Sequence, residues 1–288
     1  MMTFVVYLLI LAAMSEAKAE LNATFKNAIK DTRNINVRFM QNKSTEPSIH
    51  PNQLPDFSKF TDGLAMFPIP YHVSIQMFSD KKYEHLCAGT ITDESFVLTA
   101  AHCFYKTRNP KRISVVVGSN ILSTTKGLRY NVSKIIIHDF YEPLHGWDIA
   151  LLRMHTRIVF DGKKVGKVNI NSTVRVHGDM DTYLIGWGRT NVNVTQILEQ
   201  VTFRTIDNKK CINRGFIYIT KTELCAISHK GRGACDGDSG GPLVSTDFST
   251  QLGILSYGRE PCKRGRIYAF TYIHPLVNWI LEQMKQCG

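Results

Sequence analysis

Between positions 72 and 270 the apolar residues recur in short runs split by turn residues, and many of the runs are rich in Val, Ile and Thr. These runs predict strands over 72–77, 90–99, 113–117, 132–138 and 149–154, then over 174–176, 182–185, 201–205, 252–256 and 267–270. Short strands at regular spacing, without helices between them, indicate an all-β sandwich or barrel. The exception is 275–286, where Val277, Ile280, Leu281 and Met284 recur at i, i+3, i+4 and i+7 and Pro275 suits a first helical position. This predicts a closing helix that packs on the body by its apolar face, in preference to a helix that binds another protein.

Two N-terminal segments lack the strand pattern. Residues 1–19 read as a secretory signal peptide: 4–13 is an apolar run too short to span a bilayer, and Ala17-Lys18-Ala19 is a small-x-small cleavage site before Glu20. Residues 20–59 are polar, rich in Asn and Lys, and carry Pro47, Pro51 and Pro55 without a cysteine. They read as a flexible propeptide that cleavage would release entirely.

Composition adds less. A chain of 288 residues, 43% hydrophobic and 20% charged, is long enough for a large core or two small barrels packed as one unit. The net charge of +11 suits contact with a polyanion, though solubility alone accounts for it more readily. All seven cysteines lie at or beyond Cys87, and export makes disulfides the default for them. Sequons at Asn22, Asn42, Asn131, Asn171 and Asn193 agree with export. No later segment is long and apolar enough for a membrane helix.

The chemistry lies in three blocks: Ala100-Ala101-His102-Cys103, Asp148-Ile149-Ala150-Leu151-Leu152 and Gly237-Asp238-Ser239-Gly240-Gly241-Pro242. A serine hydroxyl is a weak nucleophile at neutral pH and needs a base within hydrogen-bond reach, which in turn needs an orienting acid. The order His, Asp, Ser separates this chain from the other folds that use the same three residues. From about Phe60 onward the sequence resembles the trypsin/chymotrypsin family of secreted serine proteases, with a leaning in its short loops and propeptide toward the arthropod members. The resemblance implies two packed six-stranded antiparallel barrels with a C-terminal helix over 60–288, and the active site in the cleft between them. It implies His102 as general base, Asp148 as its orienting acid and Ser239 as nucleophile. The N–H groups of Gly237 and Ser239 would form the oxyanion hole.

The same resemblance places the remaining site residues. Ser256 would support the aspartate, and Ser256, Tyr257 and Gly258 would pair with the substrate strand. Gly233 stands where trypsin-like members carry a pocket-floor aspartate, so cleavage after Arg or Lys is not expected. Arg266 stands across that pocket. If it points inward it can take a carboxylate in a bidentate grip, which suits an acidic P1 residue; if outward, a small or apolar P1 is expected. Cleavage after Lys59 would free the α-ammonium of Phe60 to pair with Asp238, although Phe60 departs from the family's usual β-branched residue. Disulfides are implied for Cys87–Cys103, Cys211–Cys225 and Cys235–Cys262, leaving Cys287 as a free thiol or an interchain link.

No cofactor is expected. The stretch from Cys103 to His138 holds no Asp or Glu for a calcium loop, and the histidines lack metal-ligand spacing, so no metal site is expected either. No phosphate loop or aromatic-basic motif points to specific nucleic acid binding. Expected partners are polypeptide substrates, protein protease inhibitors and an upstream activating protease. The rival from another class is a secreted binding protein on a protease scaffold, never activated because Phe60 docks poorly.

Overall fold

The computed structural model describes residues 63–64 (backbone only), 69–122, 127–170, 175–188, 197–213, 219–228, 233–258 and 267–287. All of them fall within the unit Asp56–Gly288. The signal peptide, the propeptide, Lys59, Phe60, Cys262, Arg266 and the sequons Asn22, Asn42, Asn171 and Asn193 lie outside the described residues. Asn131 is exposed on a strand.

After a two-residue strand, β1 (Gly63–Leu64), six strands close into an antiparallel barrel: β2 (His72–Ser79), β3 (Lys82–Asp93), β4 (Phe96–Thr99), β5 (Ile113–Val117), β6 (Leu128–Ile137) and β7 (Ala150–Met154). The order around the ring is β2-β3-β4-β7-β6-β5. Val73, Ile75, Ile91, Val97, Leu98, Val115, Leu151 and Leu152 fill it, each without solvent exposure. Asp80 and Lys81 both adopt positive φ, 50° and 66°, in the two-residue turn that joins β2 to β3. That turn twists the hairpin in the sense strands favour.

The second ring comprises β8 (Asp181–Gly186), β9 (Glu199–Ile206), β10 (Glu223–Ser228), β11 (Pro242–Val244), β12 (Gln251–Gly258) and β13 (Ile267–Tyr272). They run β9-β10-β13-β12-β11-β8, and the pairing of β8 with β9 closes the circle, with β1 added along β9. Its own core is Leu184, Phe203, Leu224, Leu243, Leu255, Tyr268 and Phe270. The first barrel's core is continuous with Ile185, Trp187, Val244 and Ile254 from this half. The two barrels therefore share apolar burial and dock face to face.

The strand expectations hold for most of the chain and fail in particular places. The run 90–99 is two strands, because Glu94 and Ser95 turn the chain between β3 and β4. Residues 175–176 form no strand. β10, β11 and the first half of β3 were not anticipated: Pro242 heads β11 where no backbone donor is required, and the turn at Asp80-Lys81 has no glycine to announce it. The closing helix, Val277–Cys287, follows a 3₁₀ turn at His274–Leu276. Ile280 is fully buried, but Leu281 is 43% exposed, against expectation. The Trp279 indole packs against the His138 ring at 4.8 Å with the planes tilted by 37°, and the helix contacts the body through Val277, Ile280, Met284 and Cys287.

Candidate active site

β4 ends at Thr99, and the buried Ala100 and Ala101 lead into a 3₁₀ turn, Ala101–Phe104, that carries His102. A disulfide from Cys103 to Cys87 ties that turn to β3. The His102 side chain keeps 27% exposure, while that of Asp148 has 7%. Asp148 Oδ1 accepts from the His102 backbone N–H at 2.8 Å, and Oδ2 accepts from Nδ1 at 2.7 Å. Holding both the backbone and the ring fixes the imidazole with Nδ1 protonated and Nε2 turned away from the acid.

The second barrel supports the acid. Ser256 Oγ donates to Asp148 Oδ2 at 2.5 Å, and Thr271 Oγ1 donates to the Asp148 carbonyl at 2.8 Å. Burial alone would raise the Asp148 pKa. The charge of His102 and the donated hydrogen bonds outweigh it, so the carboxyl lies below its usual range. For His102 burial pulls the pKa down, yet the neighbouring carboxylate leaves it raised overall.

Ser239 sits in the turn Gly237–Gly241, packed against the strand ends that lead to His102. The Ser239 carbonyl accepts from Ala88 N–H at 2.8 Å, and Gly240 N–H donates to Leu255 O at 3.0 Å. Gly240 has φ of 77°, and a Cβ there would strike Thr99 Oγ1 and the Ala88 carbonyl, so only glycine fits. Gly237, with φ of 97°, presents its carbonyl to His85 Nε2 at 2.9 Å. The N–H groups of Asp238, Gly240 and Gly241 are all taken by carbonyls. Among the described residues, those of Gly237 and Ser239 have no acceptor. Two unused N–H donors in one tight turn, one of them the serine's own, are a pair of the kind that can bind an oxyanion. Ser239 Oγ makes no hydrogen bond to His102 in this structure; such contacts commonly tighten only with substrate in place.

Tyr257 is half-buried and Gly258 exposed, at the end of β12. β11 pairs with β12 as far as Ile254, while β13 pairs with Leu255, Tyr257 and Gly258. A Cβ on Gly258 would enter the ring of Tyr268, its partner on β13, so the position requires glycine. Gly233 is half-buried beside the buried Ala234. Arg266, across the expected pocket, is outside the described residues.

Asp238 is 6% exposed, and its carboxylate accepts from the N–H groups of Gly188 at 2.7 Å and Cys235 at 2.9 Å. Burial, with smaller contributions from Glu199 and Asp236, pushes its pKa up to about 7 against those two bonds. A second disulfide joins Cys211 to Cys225, and Cys235 is disulfide-bonded with its expected partner outside the described residues. Cys287 is a free thiol, with Lys134 Nζ 3.4 Å from its sulfur. Among the described residues, Cys87, His102 and Cys103 are the group close enough to share a metal ion. The disulfide and the Asp148 contact already occupy those atoms, so they form no ligand set.

Thr271 and His85 were not anticipated. Each is a polar residue in a strand, and nothing in its local sequence separates it from a solvent-facing position.

An imidazole held by a buried carboxylate, with a glycine-framed serine in the adjoining turn and two free N–H donors, is the equipment of acyl transfer on a two-barrel scaffold. The comparisons agree. The sequence model of the trypsin family, described as Trypsin, matches residues 64–280. The chain is 33% identical over 215 residues to chymotrypsin-2 of Vespa crabro, covering 73% of this chain and 92% of the relative. It is 31% identical over 225 residues to chymotrypsin-like elastase family member 1 of Macaca fascicularis, covering 73% and 83%. The solved structure of neuropsin, a serine protease of mouse brain, superposes with a TM-score of 0.66 at 27% identity, covering 77% of this chain and 98% of that one. The chain belongs to the trypsin family and is a serine endopeptidase. Among the described residues no helix is long and apolar enough to cross a membrane.

Proposed function

We propose that the protein is an exported zymogen, cut after Lys59, whose active form hydrolyses peptide bonds with Ser239 as nucleophile, His102 as base and Asp148 as orienting acid. The observation that carries this reading is the three-donor environment of Asp148, which orients the His102 ring while Ser239 lies in the glycine turn packed on the same strand ends. In this reading Gly237 and Ser239 stabilise the oxyanion. Ser256–Gly258 takes the substrate as an added strand, with main-chain hydrogen bonds aligning the scissile bond. Gly233 supplies no charge to the pocket floor, which disfavours Arg and Lys at P1. An acidic P1 follows if Arg266 enters the pocket, and a small or apolar one if it points out. After cleavage the Phe60 ammonium offers Asp238 the cation it lacks among the described residues.

The test is a peptide-library cleavage profile of protein cut after Lys59, with Ser239→Ala as control and Arg266→Gly alongside. Cleavage after Asp or Glu that disappears in Arg266→Gly establishes an arginine-lined pocket. Cleavage after Phe, Leu or Ala keeps the triad reading and moves Arg266 to the surface. Absence of Ser239-dependent cleavage, together with no labelling by a fluorophosphonate, overturns the reading in favour of a binding scaffold.

A further inference from the structure

We propose that Arg129, Gln76, Ser74 and His85 form a one-way hydrogen-bond relay that positions the oxyanion-binding turn, which makes Arg129 a remote positioning residue for catalysis. The inference rests on the reading of Gly237 and Ser239 as the oxyanion donors. Ser74 and Gln76 lie on β2, His85 on β3 and Arg129 on β6. The Arg129 guanidinium covers the Tyr83 ring, 4.0 Å from its centroid. One of its nitrogens donates to Ser114 Oγ and another to Gln76 Oε1 at 2.7 Å. Gln76 Nε2 donates to Ser74 Oγ at 3.1 Å, and Ser74 Oγ meets His85 Nδ1 at 2.9 Å. His85 Nε2 then reaches the Gly237 carbonyl at 2.9 Å.

The two ends fix every proton between them. A guanidinium can only donate and a carbonyl can only accept. Gln76 must therefore turn its oxygen to Arg129 and its amide protons to Ser74. The Ser74 hydroxyl must donate to His85 Nδ1, and His85 must carry its proton on Nε2. Burial outweighs the Gly237 bond in setting the His85 pKa, which is lowered, in keeping with a neutral ring. Ser74 and Gln76 are 3% and 2% exposed, so water does not repair a broken link.

The relay ends where a small rotation matters. The Gly237–Asp238 peptide is held at its oxygen by His85 and at its nitrogen by the Cys235 carbonyl, 3.0 Å away. It lies between the peptide planes that carry the Gly237 and Ser239 N–H groups. With the His85 bond lost, the plane turns and both donors leave their aim. Because oxyanion contacts strengthen in the transition state, the loss appears in kcat.

The experiment measures kcat, KM and inhibition by a peptide aldehyde, which forms a tetrahedral adduct, on activated enzyme carrying Arg129→Ala, Arg129→Lys, Gln76→Glu or Ser74→Ala. Gln76→Glu separates positioning from simple structure. It keeps an acceptor for Arg129 and adds an opposite charge, yet has no proton to give Ser74. The Ser74 hydroxyl then turns to the carboxylate and His85 Nδ1 loses its donor. Expected for Gln76→Glu and Arg129→Ala is a fall in kcat of about tenfold with KM within about twofold, and a matching loss of aldehyde affinity. Arg129→Lys recovers part of that loss. Gln76→Glu with unchanged kcat, or a change confined to KM, overturns the relay. Should Gln76→Glu fail to fold, Ser74→Ala decides, since it removes one oxygen from the same chain. If the unsubstituted activated enzyme cleaves no peptide, the functional reading falls and takes the relay with it; if it cleaves and the variants match it, the relay alone falls.

Discussion

In the uncleaved chain, Asp238→Asn is expected to gain about 4 kcal/mol on its parent between pH 4 and pH 8. The Asp238 carboxylate is buried, faces two backbone N–H donors, and forms no ion pair among the described residues. Its pKa rises from 3.8 to about 7, chiefly through burial. A folded pKa above the unfolded one gives stability that is fully present below about pH 4 and lost as pH rises through 7. The gap is roughly 3 units at about 1.4 kcal/mol each, hence about 4 kcal/mol, a large part of the 5–15 kcal/mol that holds a typical domain. Asparagine never ionises and escapes this loss. Its NH₂ must face one of the two N–H donors, at about 1–2 kcal/mol, but that penalty is the same at every pH and cancels from the comparison. The assay is urea unfolding of uncleaved Ser239→Ala protein, with and without Asp238→Asn, across pH 4 to 8. Curves that stay parallel over that range would refute the reasoning. After cleavage at Lys59 the sign should reverse at pH 8, because a neutral amide cannot answer the new ammonium.

Two further perturbations have defined outcomes. Asp148→Asn should lower kcat/KM by roughly 10⁴ by spoiling the orientation and tautomer of the base. Without the carboxylate, burial alone governs His102, so the acid limb of the pH–rate profile should move to lower pH; an unmoved limb would sink this account. His72 is 2% exposed, has neither ring nitrogen hydrogen-bonded, and its pKa is lowered from 6.5 to about 3, first by burial and then by His85. A base with a depressed pKa contributes stability above pH 6.5 that disappears as pH falls, about 3 kcal/mol by pH 4. His72→Gln should therefore lose less thermal stability than the parent between pH 7.5 and pH 4, and equal losses would count against the argument.

The three blocks that carry His102, Asp148 and Ser239 stand out in the sequence because each is a contiguous string whose residue types the local geometry constrains: Gly240 cannot carry a Cβ, and Ala100 and Ala101 are fully buried. The strands with clear alternation were legible for the same reason. What the sequence concealed depends on pairing between distant segments. Ser74, Gln76 and His85 read as ordinary polar positions in a hairpin, and only the barrel's closure brings Arg129 to them. Thr271 supports Asp148 from 123 residues away, a separation that no local pattern encodes. Leu281 misled because helical periodicity gives a stripe but not its centre, and here the contact runs through Val277, Ile280, Met284 and Cys287, with Trp279 against His138.

The division of the site between the two barrels has a consequence for the cell that makes the protein. His102 and Asp148 both precede β7 in the chain, whereas Ser239, Ser256 and Thr271 all come from the later half. On the proposed roles, a nascent or truncated chain that ends before β11 would hold a base and an acid with nothing to activate and no brace for the acid. In that reading chemistry would begin only once the second ring has closed and docked on the first. Translation order would thus delay the hazard of a protease until its fold is complete, independently of any propeptide.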